Sequence, residues 1–508
     1  MSEKFASTIA GATILITGVG LVSKGFGFLR EIVYANNFGL HSNFDIYLIG
    51  AVLPITLNTS VIYLAQNYFI PAYHNKLSLG KDKAEKFFSN TFWLFVILAG
   101  IFSIILFLIS PFLIKSYLTN TNPQVHEAVL KIFNIFLLTI PLNAGFSILS
   151  AYFQSEYNFK APAISSLFQN IIIILLVLVF TGALGVLTIP IGYLFGTIAQ
   201  FLYLLTLLKN KRKLIFRAVA FNLRELGFVN KTLLLIILVE VINQLYILVD
   251  RYFYGSVDSG GIAALNYATV LYSLPISIFS IALSTAIFPK LSQSFGSKNN
   301  VLIEQQYLTG LQTNIFLFIP ITLVLILFGD SIIRIFYQRG SFTSNDTFIT
   351  FDILRLYSLS LLFYSSYAVI NKVVYGAGLI KNLLVISIFI FLLKIILNFV
   401  LVEKFKQNGL AISTSICYIS LSASCYILIL KKLKFRITRQ VISGILFYSL
   451  NGLFGYLILI TVKEYLDFSY LINLLLMLII FVGVYILNIV IMNPKEYLIF
   501  KETLLKYF

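Results

Sequence analysis

Two cations and an acid interrupt an apolar run near the N-terminus, Ser23-Lys24-Gly25-Phe26-Gly27-Phe28-Leu29-Arg30-Glu31. On a helix Lys24 and Glu31, seven residues apart, share a face, and Arg30 lies about 120° away. Two cations on one apolar helix are equipped to line an anion site, and the plainer alternative is an ion pair that ties helices together. Asp45 opens the next apolar run, which also carries Asn58, Gln66 and Asn67; for the last two, helix-to-helix hydrogen bonding is the favoured reading. Farther along, Glu240, Asn243 and Asp250 fall in one run, with Asn243 and Asp250 on a common face. A carboxylate at that depth is suited to exchange a proton or hold sodium. Lys394 sits mid-run in Leu393-Lys394-Ile395 with Asn398 one turn on, and must find a partner or stay neutral. Asp352 and Arg355, three apart, are expected to pair locally.

Nothing here resembles covalent catalysis. Cys417 and Cys425 lie in one apolar run, and His41, His74 and His126 lie in separate segments, so neither a metal cluster nor a catalytic group is expected. No cofactor is expected either; the candidate driving forces are Na+, H+ and the membrane potential.

The elements that must position these residues follow from composition. The chain has 508 residues, 59% hydrophobic and only 11% charged, and a mean hydropathy of +0.93. Soluble chains carry about 25% charged residues. A soluble enzyme or a nucleic-acid binder is therefore excluded, and the net charge of +17 must be read loop by loop. Runs such as 171–179 are continuously apolar, which favours helices over the alternating strands of a membrane barrel. The sequence reads as an all-α polytopic membrane protein with about 14 transmembrane helices, beginning near 7–35 and ending near 469–492. The first is expected to be retained, since no small-residue cleavage site precedes Lys24.

With the N-terminus inside, 25 of the 37 Lys and Arg residues fall in cytoplasmic segments and 7 in outer ones. That bias predicts both termini in the cytoplasm. The densest basic clusters, 209–231 and 431–439, divide the chain. The expected organisation is an N-terminal lobe at 1–208 (helices 1–6), a basic cytoplasmic linker at 209–231, a C-terminal lobe at 232–430 (helices 7–12), and helices 13–14 with a tail at 431–508. The clusters serve first as topology determinants and second as contacts to anionic lipid headgroups. Two six-helix lobes suggest alternating access. Phe69-Ile70-Pro71 and Phe288-Pro289 close corresponding spans in the two halves, a faint internal echo.

At these residues the chain resembles the MurJ/MviN family of lipid II flippases, within the multidrug, oligosaccharidyl-lipid and polysaccharide exporter superfamily. Ser23 to Gly39 resembles the family's SRxxGFxRDxxxAxxFG signature, and Asp45 falls where an acid opens span 2. Phe69-Ile70-Pro71-Ala72-Tyr73 resembles FxPxY, and Tyr157 to Ala163 resembles the xRFxxPA turn. Ala264 to Pro275 with Phe288 to Ser292 resembles span 8, and Phe336 to Thr343 resembles the FxRGxFT loop. The resemblance implies a cavity of cations that holds a lipid-linked diphosphate, with the prenyl tail beside spans 13 and 14. Carried over by position, the diphosphate site comprises Lys24, Arg30, Asp45 and Asn58, and the ion-coupling site comprises Asp250, Glu240, Lys394 and Asn398. Lys24 and Asn58 stand where the family has arginines, and Thr269-Val270 stands where it has Asp-Arg. In some relatives an aspartate of span 7 and two polar residues of span 11 hold sodium; here Lys394 takes one of those places, as a tethered cation expected to pair with Asp250.

The resulting expectation is a monomeric flippase of the bacterial inner membrane for an undecaprenyl-diphosphate-linked saccharide. Because two of four cavity cations are kept, a polysaccharide or O-antigen repeat unit is preferred over lipid II. A drug/cation antiporter is disfavoured by the cationic cavity, and a glycan polymerase by short outer stretches at 115–126 and 334–347. Membrane lipids and glycan-assembly proteins are the other partners considered.

Overall fold

A computed structural model of the chain describes residues 9–118, 122–208, 231–463 and 470–492. Most of the basic linker at 209–231 and the tail beyond 492 lie outside the described residues. Among the described residues every regular element is helical. Two compact units emerge, one of residues 1–263 with 339–342, the other of 264–338 with 343–508.

The first unit begins with α1 (Ile9–Phe38), α2 (Ser42–Leu64), α3 (Ile70–Ser78) and α4 (Lys81–Tyr117). It continues through α5 (Pro123–Leu137), α6 (Thr139–Ser155), α7 (Lys160–Leu184), α8 (Thr188–Leu207) and α9 (Lys231–Tyr252). α7 packs along both α1 and α8, α4 packs on α6, and α2 lies against α5 and α6. One core joins these layers through Ile49, Val129, Phe133, Ile140 and Ala144. α10 (Gly261–Pro275) starts at the edge of this unit and runs into the second.

The second unit holds α11 (Ile281–Gly296), α12 (Asn300–Phe336), α13 (Ser344–Ser358) and α14 (Leu361–Gly376). It ends with α15 (Ile380–Leu433), α16 (Thr438–Lys463) and α17 (Tyr470–Met492). α12 is its hub and contacts α11, α13, α14, α16 and α17.

Nine helical segments of the described residues are long and apolar enough to cross a membrane, or ten when α13 and α14, bent by 46°, count as one span. Segments 160–207 and 380–433 each contain two of the fourteen expected spans. The first divides at Gly185, whose φ is +55°. The second divides at Lys406, whose φ of 50° and ψ of −127° leave the helical region. α1 and α9 carry the two remaining expected spans. Large apolar side chains such as Leu108, Phe112, Val179 and Ile491 are exposed on these helices, as bilayer contact requires.

Each half also contains a π-turn. α2 passes into α3 through a π-turn at Ala65–Phe69. α10 passes into α11 through a π-turn at Ile276–Ser280, directly after Pro275. Each extra residue per turn shifts the helical face that follows, and such turns recur at functional sites.

In the second unit a buried amide ties the C-terminal pair to the hub. Asn451 of α16 donates through Nδ2 to the Tyr485 carbonyl of α17 at 3.0 Å, and its Oδ1 accepts from Asn488 Nδ2 at 2.9 Å. Tyr485 Oη donates to the Phe316 carbonyl of α12 at 3.2 Å. Replacing Asn451 by Leu is expected to lower stability by about 1–2 kcal/mol, read as a lower thermal midpoint of the purified protein in detergent.

Candidate functional site

Arg30 lies in the sixth turn of α1, facing α7 and α8 within the first unit. Its Nη2 donates to Glu31 Oε1 at 2.7 Å and its Nε to the same oxygen at 3.3 Å. Its Nη1 donates to Asn170 Oδ1 of α7 at 3.2 Å. Asn170 is held for that task because its Nδ2 donates to the Ser166 carbonyl one turn earlier. Ser166 meets Ser23 of α1 at 2.7 Å, fixing the register of the two helices. The guanidinium carbon also stands 5.6 Å from the centroid of Tyr34 and 5.4 Å from that of Tyr193.

The rings form a chain across four helices. Tyr34 of α1 contacts Tyr47 of α2 at 6.2 Å, Tyr47 contacts Phe136 of α5 at 6.2 Å, and Phe136 contacts Tyr193 of α8 at 5.1 Å. Two helices, α1 and α8, therefore supply aromatic faces to one cation, and rings of α2 and α5 back them. Cation–π attraction strengthens when the charge is shielded from water, and the Arg30 side chain is only 19% exposed.

This geometry sets what Arg30 can do. Guanidinium has five N–H donors, and three are engaged by Glu31 and Asn170. One N–H on each terminal nitrogen is left to donate to an anion. Glu31 neutralises much of the charge, so the net positive charge of α1 rests on Lys24, which is exposed. Six residues separate the two cations, about 9 Å along the axis.

The other sequence candidates fall elsewhere. Asp45 is buried, and both carboxylate oxygens are engaged by backbone N–H groups. Oδ2 accepts from Gly260 at 2.5 Å and Oδ1 from Ala263 at 2.8 Å. An acid at an exposed helix N-terminus meets unpaired N–H groups and the positive end of the dipole. Asp45 thus caps α10. Gly260 permits the close approach, for its φ is +82° and a Cβ there would collide with Leu40. Asn58 of α2 donates to Thr139 Oγ1 at 2.9 Å, at the junction of α5 and α6. Glu240 accepts from Gln244 Nε2 one turn on, at 2.5 Å. Asp250 is half-buried farther along α9. In the second unit Lys394 and Asn398 are both fully buried on α15. Asp352 and Arg355 form the expected local pair at 3.5 Å and are well exposed. The structure thus unites Arg30 with Glu31, and it adds Asn170, Tyr34 and Tyr193, which the sequence reading did not select. One signal was present, since Gln169-Asn170 is a polar pair directly before the apolar run 171–179.

Helical segments of bilayer length, nine or ten among the described residues, define a multi-pass membrane protein. Solved structures of that class share the fold. One, described as lipid II flippase MurJ in an inward closed conformation, superposes with a TM-score of 0.80, at 24% identity, over 95% of this chain and all of the other. An inward-facing multidrug resistance MATE family transporter of the MOP superfamily gives 0.70 at 14% identity, over 83% of this chain. The family model described as lipid II flippase MurJ matches residues 34–492, and the chain belongs to that family. It is accordingly a transporter of the bacterial inner membrane and not an enzyme. Among curated relatives, the probable lipid II flippase MurJ of Borreliella burgdorferi is 25% identical over 432 residues, 83% of each chain. The lipid II flippase MurJ of Thermosipho africanus is 27% identical over 415 residues, 80% of this chain and 83% of its own.

The cap role of Asp45 is separable from a substrate role. Asp45→Ala is expected to cost roughly 1.5–3 kcal/mol for each charged hydrogen bond lost, with Asp45→Asn intermediate. Thermal unfolding checks this, and transport per folded molecule should stay near wild type. A loss of transport beyond the loss of folded protein would put Asp45 in the substrate path.

Proposed function

We propose that this protein is a flippase that carries lipid II across the inner membrane for peptidoglycan synthesis. The carrying observation is the family match over nearly the whole chain, 34–492, supported by relatives of similar length that bear that name. This reading displaces the repeat-unit substrate preferred from the sequence.

In this proposal Arg30 and Lys24 meet the diphosphate. Arg30 offers two N–H groups from a side chain already oriented by Glu31, Asn170 and the tyrosines, so little rotamer freedom is lost on binding. Lys24 supplies the net charge, as a hydrated point cation and not a planar fork. The headgroup crosses by alternating access, with both termini cytoplasmic. No bond is made or broken. Return of the unloaded cations is driven by the membrane potential, worth about 2.3 kcal/mol per charge per 100 mV, or by an ion gradient.

One observation keeps the polysaccharide repeat unit as a second reading. Asn58 is neutral and spends its amide N–H on Thr139, where the family resemblance places an arginine. The two readings part in a complementation experiment. Cells depleted of their own lipid II flippase receive wild type, Arg30→Ala, Arg30→Lys or Lys24→Ala, with membrane levels matched. Wild type is expected to restore growth, and Arg30→Ala to lose it. Arg30→Lys should be impaired because one ammonium cannot serve Glu31, Asn170 and a ligand in the same planar fork. Failure of well-expressed wild type, with rescue of a strain lacking its O-antigen flippase, would favour the repeat unit.

A further inference from the structure

Lys394 has no accessible surface at all. Its Nζ donates to Thr414 Oγ1 at 2.6 Å and faces the Leu410 carbonyl oxygen at 3.5 Å. Thr414 Oγ1 gives its own proton to that same carbonyl at 2.8 Å. The hydroxyl's lone pairs are thereby turned toward the ammonium.

These groups lie on two arms of one helical hairpin. α15 breaks at Lys406, and Gly409 crosses so close to Leu401 that an added Cβ would stand 2.6 Å from the Leu401 carbonyl carbon. Farther from the turn, Cys417 Sγ approaches the Ile390 carbonyl at 3.9 Å. Pairs 401/409, 394/410 and 390/417 open outward from the turn, so the arms run antiparallel and Lys394 bridges them. Asn398, fully buried one turn from Lys394, adds a carboxamide on the same face.

The family resemblance implies sodium at Asp250 and positions 394 and 398. The residues present do not fit it. Alkali and alkaline-earth cations are held by oxygen donors, whereas position 394 supplies an ammonium that can only donate. That ammonium already takes the hydroxyl on the opposite arm. A sodium ion placed there would meet a like charge in a low-dielectric setting.

We propose that the Lys394 ammonium is a built-in substitute for a monovalent cation, seated on the oxygens of Leu410 and Thr414, so that the protein binds no sodium there and works without it. The statement about transport rests on the flippase reading; the statement about binding does not.

The test uses the full-length protein in detergent, with sodium chloride exchanged for choline chloride at constant ionic strength. Radiosodium binding and thermal midpoints are measured for wild type, Lys394→Ala, Lys394→Asn and Lys394→Ala/Thr414→Val. Wild type is expected to bind no sodium saturably and to melt at the same temperature in both salts. The single variants should melt lower in choline and regain several degrees in sodium, with a saturating dose dependence. Thr414→Val should erase that recovery. Saturable sodium binding by wild type overturns the proposal, and so does a folded Lys394 variant with no sodium-specific response. Should Lys394→Ala not fold, Lys394→Asn and the wild-type binding measurement still decide. Failed complementation alongside the expected sodium behaviour would remove the substrate reading and leave this one standing.

Discussion

A charge inside hydrocarbon has no water to answer it, so the protein must answer it with its own atoms. That constraint explains where the polar residues of this chain sit. Arg30 is met by a carboxylate, an amide oxygen and two ring faces. Lys394 is met by a hydroxyl and a carbonyl oxygen. Asp45 is met by two backbone N–H groups. Each solution draws on at least two helices or two arms, so satisfying the charge also fixes helix packing.

The three solutions differ in what they leave over. Asp45 has one backbone N–H on each oxygen, so it is tied to the start of α10. Arg30 retains two N–H groups and 19% side-chain exposure, so it remains able to engage a ligand. Lys394 is sealed, so its charge acts only on neighbours. Burial and residual donor count separate these residues better than residue type does. All three look alike as charges in apolar runs.

That contrast also shows what the sequence could reveal. The all-helical architecture was legible because 508 residues with 11% charge leave few alternatives, and apolar runs of bilayer length report spans directly. Arg30 and Lys394 were legible as positions because charges at depth are rare. Their partners were not. Asn170 is 140 residues from Arg30, and nothing local ties it to that side chain. Tyr34 and Tyr193 are two of 30 tyrosines, and only their contact with the Arg30 guanidinium distinguishes them. The cap role of Asp45 depends on a turn 215 residues away. The missing arginines were legible, but a count of cations does not report how each one is held.

The hairpin of α15 bears on how the protein is made. Lys394 and Thr414 are only 20 residues apart, within a single pair of antiparallel arms. A chain entering the bilayer as such a pair delivers the ammonium already in contact with its oxygen partners. That one contact is independent of any other helix. Arg30 shares this independence through Glu31 but completes its shell only once α7 and α8 are in place. The order of synthesis thus leaves α1 with the longer unfinished interval.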